Sequence, residues 1–142
     1  LHLSDVAGDV LVANNAFYAP AGNAIFANGA TERVTLVANV GTGSLSGVST
    51  GFDASGDIAS DFDNASYSGA PPQDLVPRAG RLVGTADAGT LAADDFNAVS
   101  RLPALDVGAY RNDPAGNQGW PLQAGFKQLG DVIFASGFDA GG

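Results

Sequence analysis

Val10-Leu11-Val12-Ala13-Asn14-Asn15 is followed further along the chain by Thr35-Leu36-Val37-Ala38-Asn39-Val40, so Leu-Val-Ala-Asn recurs at a spacing of 25 residues. That distance suits one coil of a solenoid, in which each turn supplies about three short strands and their corners. Stacked strands lie about 4.8 Å apart, which puts equivalent residues of successive coils above one another. Alternation then decides facing: Leu11 and Ala13 share one side, Val12 and Asn14 the other. Asn14 above Asn39 is the expected amide ladder along the axis. An ordinary turn Asn at each strand end is the alternative.

Working outward, Tyr18-Ala19-Pro20-Ala21-Gly22-Asn23 reads as a turn. Ala24-Ile25-Phe26-Ala27 reads as a short second strand, closed by Asn28-Gly29. Coil one thus covers residues 10 to 33. Coil two begins near Val34, continues through Leu45 and Val48, and becomes irregular after Gly51. Gly or Pro breaks almost every window long enough for an amphipathic helix, so the expected class is all-β, in the form of a parallel β-helix.

Composition narrows the chemistry. The chain has 142 residues, with 6 Lys plus Arg against 15 Asp plus Glu, a net charge of −9. That field repels phosphate backbones, which argues against a nucleic-acid partner. No apolar run reaches the roughly 20 residues that span a bilayer, so the chain is not expected to cross a membrane. There is no Cys, which excludes disulfides, zinc-thiolate sites and a Cys nucleophile. The single His, His2, stands near the start, where Ser-His-Asp or His-rich metal chemistry has little to build on. The chain begins at Leu1 without a charged-then-apolar leader, which suggests a start inside a longer protein or after processing.

The stretch from residue 51 to residue 73 carries Asp53, Asp57, Asp61 and Asp63. Four carboxylates so close repel one another unless solvated or bridged by a cation. Ca²⁺ is the ion their oxygen chemistry suits. Their spacing fits neither an EF-hand nor a Gly-Gly-x-Gly-x-Asp repeat, so a solvated acidic loop without any cofactor is the simpler reading. Phe52, Phe62 and Tyr67 are expected to pin this loop to the strands. After Pro71-Pro72, a turn and a short apolar strand are expected around Leu82-Val83.

From here a series of segments carries a resemblance. They are Asp74-Leu75 with Pro77, Gly80 and Leu82-Val83, then Ala86-Asp87-Ala88-Gly89 and Asp95-Phe96-Asn97, then Arg101 with Pro103, and finally Leu105-Asp106-Val107-Gly108-Ala109-Tyr110. Together they resemble the C-terminal signature of bacterial secreted right-handed parallel β-helix repeat proteins, including choice-of-anchor Q domain proteins. Arg111 stands where that signature usually has Glu, Ala98 where it often has Gly, and Arg81 and Gly84 where it has Pro and Asp. The resemblance implies that residues 1–110 are the C-terminal coils and cap of a right-handed β-helix, with 111–142 an irregular tail. It also implies an extracellular or cell-surface location. Ile133-Phe134-Ala135-Ser136-Gly137-Phe138-Asp139 resembles an ending of exported Gram-negative proteins, which implies the same.

Three functions follow as expectations. The first is a structural or adhesive end of a surface solenoid, with no catalytic residues in this chain. The second is part of a polysaccharide lyase-like or glycoside hydrolase-like protein, since β-helices of this kind are similar to glycan-processing proteins. A lyase needs a base and a cation or Ca²⁺ to neutralise the sugar carboxylate. Yet Lys127 lies in the tail, and Arg33, Arg78, Arg81, Arg101 and Arg111 are scattered. The third is glycan binding through Trp120, Tyr18 and Tyr67, whose rings are suitable sugar platforms. An open N-terminal coil also offers an unpaired edge for self-association.

The closing motif has a mechanical reading as the lid of the solenoid. Val107 and Tyr110 lie over the last coil, Gly108 permits close approach, and Asp106 accepts backbone N–H groups at the turn. Tyr110→Ala is therefore expected to cost about 3–5 kcal/mol of stability, the loss typical of a buried aromatic. A thermal melt that does not move would remove Tyr110 from the cap.

Overall fold

The computed structural model describes residues 1–68, 73–78, 80–113 and 117. Strands dominate, in the order β1 (His2–Ser4), β2 (Val10–Ala13), β3 (Ala16–Asn28), β4 (Val34–Val37), β5 (Asn39–Ser46) and β6 (Phe52–Asp53). A single helical turn follows, α1 (Ile58–Asp61), then β7 (Phe62–Asn64) and β8 (Asp74–Pro77). One parallel sheet runs β1-β3-β5-β6 and a second parallel pair is β2-β4. β7 and β8 pair antiparallel. The class is all-β, as expected. No helix among the described residues is long and apolar enough to cross a membrane.

The parallel strands repeat every 24 residues, since His2 lies opposite Phe26, Val10 opposite Val34 and Ala16 opposite Val40. The matching tetrapeptides are spaced at 25, and the difference of one residue has large consequences. Slipping a strand by one exchanges its two faces. Leu11 and Leu36, equivalent in the sequence match, are not equivalent in space: Leu11 is 55 % exposed and Leu36 is 8 % exposed. Val12 is the residue opposite Leu36, and both pack around the buried Ile25. The corners confirm the shorter period. Asn14 and Ala38 both adopt positive φ, 58° and 48°, where β2 turns into β3 and β4 into β5.

The expected ladder of Asn14 over Asn39 is accordingly corrected. Asn15 is the residue bonded to Asn39, because the corner sets the register and Asn14 is spent on turning the chain. The Asn15 backbone N–H and side-chain amide both donate to Asn39 Oδ1, at 3.1 and 3.2 Å.

The turn expected between Tyr18 and Asn23 is a bulge inside β3. Tyr18 still pairs with Thr42 at the regular offset, but Asn23 pairs with Ser44 and Ile25 with Leu45. Pro20 fits there because it has no ladder hydrogen bond to donate. The third pass of the chain is cut short, with Phe52 opposite Asn39 after only 13 residues. Gly51 makes the shortcut feasible: its φ is +80°, and a Cβ would lie 2.0 Å from the Leu36 carbonyl oxygen.

β3 presents two faces to two cores. Phe17 and Ala19 point inward with Ala24, Ile25, Leu36 and Leu45. Ala16 and Tyr18 point outward, with Val40, and meet Phe62, Ala65, Leu82, Ala86 and Val107. The C-terminal half therefore covers the outer side of the β3-β5 sheet instead of closing its end. Residues 80–86 form turns and not the expected strand, yet Leu82 is fully buried. Phe52 and Phe62 do anchor the acidic loop, whereas Tyr67 stays 46 % exposed. β1 and β2 occupy the outer positions of their sheets, at the N-terminal edge.

The register gives a direct test. The chain has no native thiol, and parallel neighbours lie about 4.8 Å apart, within disulfide range. Leu11→Cys with Thr35→Cys is expected to cross-link on oxidation. Leu11→Cys with Leu36→Cys is not, as those side chains lie on opposite faces; the mobility of the oxidised, unreduced chain on a denaturing gel checks both.

Candidate functional site

Polar chemistry concentrates where the C-terminal segment meets the β2–β3 corner. At that corner Asn14 behaves like a piece of backbone. Its Oδ1 accepts Asp87 N–H at 2.7 Å, while Nδ2 donates to the Asp87 carbonyl at 3.2 Å and to Thr90 Oγ1 at 3.1 Å. Its own carbonyl accepts the Gly108 N–H at 3.0 Å. Gly108 is needed there for its φ of +102° rather than for space, since an added Cβ would meet only the Ala16 Cβ at 3.8 Å.

Arg101 knits the segment together. It is 6 % exposed and donates to the carbonyls of Asp106, Gly108 and Ala109 at 3.0, 2.6 and 3.0 Å, and to that of Asp94 at 3.3 Å. Burial lowers its pKa from the ordinary value, opposed by the nearby charges of Asp95 and Asp106. Asp106 is 1 % exposed; its two oxygens accept Gly84 N–H at 2.9 Å and Asn112 N–H at 2.8 Å. The carboxylate thus binds distant loops, not only its own turn. Tyr110 is buried and meets Phe96 edge-on at 5.7 Å.

Asp95 forms a second polar centre. One oxygen accepts the N–H groups of Asn97 and Val99 at 2.8 and 3.0 Å. The other accepts Arg111 N–H at 2.9 Å and the Asn117 side-chain amide at 2.5 Å. Burial pushes its pKa up, but the bonds from Arg111, Val99, Asn117 and Asn97 together outweigh burial and hold it below the usual carboxylate range.

The four loop carboxylates are placed separately. Asp53 accepts the Ser55 backbone N–H at 2.9 Å and its hydroxyl, and faces Arg81 at 3.9 Å. The Ser55 hydroxyl and then its N–H lower the Asp53 pKa, against a small burial effect, with help from Arg81. Asp57 caps α1 through Ala59 N–H at 3.2 Å. Asp61 is buried, accepting the Tyr18 hydroxyl at 2.6 Å and Asp57 N–H at 2.8 Å. Asp63 pairs with Arg78 at 3.0 Å. Among the described residues no three acidic or His side chains are grouped to hold a metal ion.

The three aromatic platforms are not brought together. Burial and the contact with Asp61 raise the Tyr18 hydroxyl pKa far above its ordinary value, so it is a committed donor. The Tyr18 ring also packs edge-on against Phe62 at 5.3 Å. Tyr67 is exposed, and Trp120 lies outside the described residues. Open hollows lie elsewhere. One of about 290 Å³ is lined by Asn15, Ala16, Phe62, Leu75, Gly108 and Ala109. Another, of about 370 Å³, runs beside β4 along Thr31, Glu32, Thr35, Ser49 and Thr50.

The sequence reading missed Asn14 as a clamp, and Asp95, Arg101 and Asn117 as its supporting network. A signal was present in part: one Arg between two Asp in an otherwise weakly charged stretch suggests a buried ionic knot.

No protein-family model matches the chain, and no curated protein and no solved structure matches it.

Replacing Arg101 with Met leaves four carbonyls and two acidic side chains without their cation. It is expected to lower stability by about 3–5 kcal/mol, the cost of orphaning buried polar partners. Arg101→Lys, which restores charge but not the planar fork, is expected to fall between the two. Urea unfolding of the three proteins measures the order.

Proposed function

We propose that this chain is the closing part of a right-handed parallel β-helix in a secreted or cell-surface bacterial protein, with a structural or adhesive role. The observation that carries the reading is the constant 24-residue parallel offset in two sheets visited in turn, with Asn15 bonded to Asn39 between passes. A chain that leaves one parallel strand and returns beside it crosses over right-handed in about 98 % of proteins. The Asp106–Tyr110 motif supports the family resemblance, since Asp106, Val107 and Tyr110 are all buried where the segment grips the strands.

The cationic side chains favour structure over catalysis. Arg33 pairs with Asp9, Arg78 with Asp63, and Arg81 bonds Ser55. Arg101 holds carbonyls, and Arg111 donates to the Ser100 carbonyl at 3.0 Å. Each is engaged in joining segments, and none is aimed together with a base into one hollow. The carbohydrate-active reading then assigns any lyase chemistry to a different part of a larger protein.

Incubation with a panel of acidic and neutral polysaccharides separates these roles. The expected result is no new ultraviolet absorbance from unsaturated sugar products. Product formed by this chain alone would overturn the structural assignment. Co-sedimentation with an insoluble polysaccharide, without product, would select glycan binding instead.

A further inference from the structure

The buried carboxylates are unevenly distributed. Among the described residues they are Asp61, Asp95 and Asp106, and all three belong to the segment that covers the strands. Asp5, Asp9, Glu32 and Asp53, on or beside the parallel strands, are exposed. The strands are joined by backbone bonds and by the neutral amides of Asn15 and Asn39, none of which titrates. The covering segment is joined to itself by ionised side chains. The two halves of the fold therefore respond differently to protons.

We propose that residues 57–113 form an acid-releasable cover on the outer face of the β3-β5 sheet, freed by protonation of Asp95, Asp106 and Asp61 while the parallel strands stay paired. The geometry supplies the mechanism. Asp95 accepts three backbone N–H groups and one side-chain amide, and faces Arg101 and the backbone of Arg111. Asp106 accepts the N–H groups of Gly84 and Asn112 and faces Arg101. Asp61 faces Tyr18 from β3, with Asp57 beside it on its own loop and Tyr67 near Tyr18. The β2–β3 corner adds only the neutral Asn14. A protonated carboxyl carries a hydrogen where these sites require an acceptor, and Arg101 loses the charges that compensate its burial.

The direction with pH follows from Asp95, whose pKa is held below the usual range in the folded chain. Its contribution is complete above the unfolded value of about 3.9 and is lost as the pH falls through the lower folded value. Release uncovers Ala16, Tyr18 and Val40, an apolar stripe on the outside of the sheet.

Hydrogen exchange on the full chain, titrated from neutral pH to about pH 3 and below, tests this. The amides of Gly84, Asn97, Val99, Arg111 and Asn112 report the cover, and those of Val10, Asn14 and Val40 report the strands. The cover is expected to lose protection at a higher pH than the strands, by about tenfold or more where the strands still hold. Loss of both sets in one step would overturn the proposal. Asp95→Asn is expected to lower protection of the cover at neutral pH and to flatten its pH dependence, with Val10 and Val40 still protected. An unchanged pH profile in that variant, or loss of strand protection along with the cover, would equally overturn it.

Discussion

Asn39 is the point on which the parallel architecture depends. It is 1 % exposed, and its side chain reaches three successive passes of the chain at once. Its Oδ1 receives Asn15 of the first pass, while its Nδ2 donates to Val12 of that pass at 2.8 Å and to Gly51 at the start of the third at 3.1 Å. Its backbone N–H also donates to the Gly51 carbonyl at 3.1 Å. Each such bond contributes about 0.5–1.5 kcal/mol net, but a buried amide left unpaired costs about 1–3 kcal/mol. The group therefore acts less as glue than as a selector of register: a slip by one residue would leave it buried without partners.

The remainder of the fold follows from that register. Once Asn39 sets the stacking, Ala16 and Val40 are neighbours on the outer face, and Val12 and Leu36 on the inner one. The inner side closes on itself around Ile25. An outer side made of Ala16, Tyr18 and Val40 cannot be left in water at no cost, and the C-terminal segment covers it with Phe62, Leu82 and Val107. Burying a side chain such as Val107 is worth about 1.5–3 kcal/mol. That segment has few ladder hydrogen bonds of its own, so Arg101, Asp95 and Asp106 replace them with charge-assisted bonds to loop backbone.

The corner explains why the repeat was legible in outline and wrong in detail. Residue identity aligns Asn14 with Asn39, but conformation aligns Asn14 with Ala38, and Ala is an unusual residue at positive φ. Nothing in the identity of Ala38 announces a left-handed corner. The closing motif was more readable, because a buried Asp, Gly and Tyr in one short run have few roles other than joining backbone segments. Its neighbours in space were not readable: Asp87 lies 73 residues from Asn14. The acidic loop misled for the same reason, since its carboxylates are divided among a serine, a helix cap, a tyrosine and an arginine.

By itself the amino-acid sequence determined the all-β class, the short parallel passes of about two dozen residues, the closing role of Asp106 to Tyr110 and the scarcity of groups for catalysis. Those properties are local: they depend on glycine and proline punctuation, on alternation, and on which residue types are present. Only the tertiary structure decided the 24-residue register, the placement of the closing segment on the side of the sheet, and the pairing of Asn14 with Asp87 and of Tyr18 with Asp61. Those depend on which face each residue occupies and on contacts across long loops, and a single positive-φ corner residue is enough to exchange one face for the other.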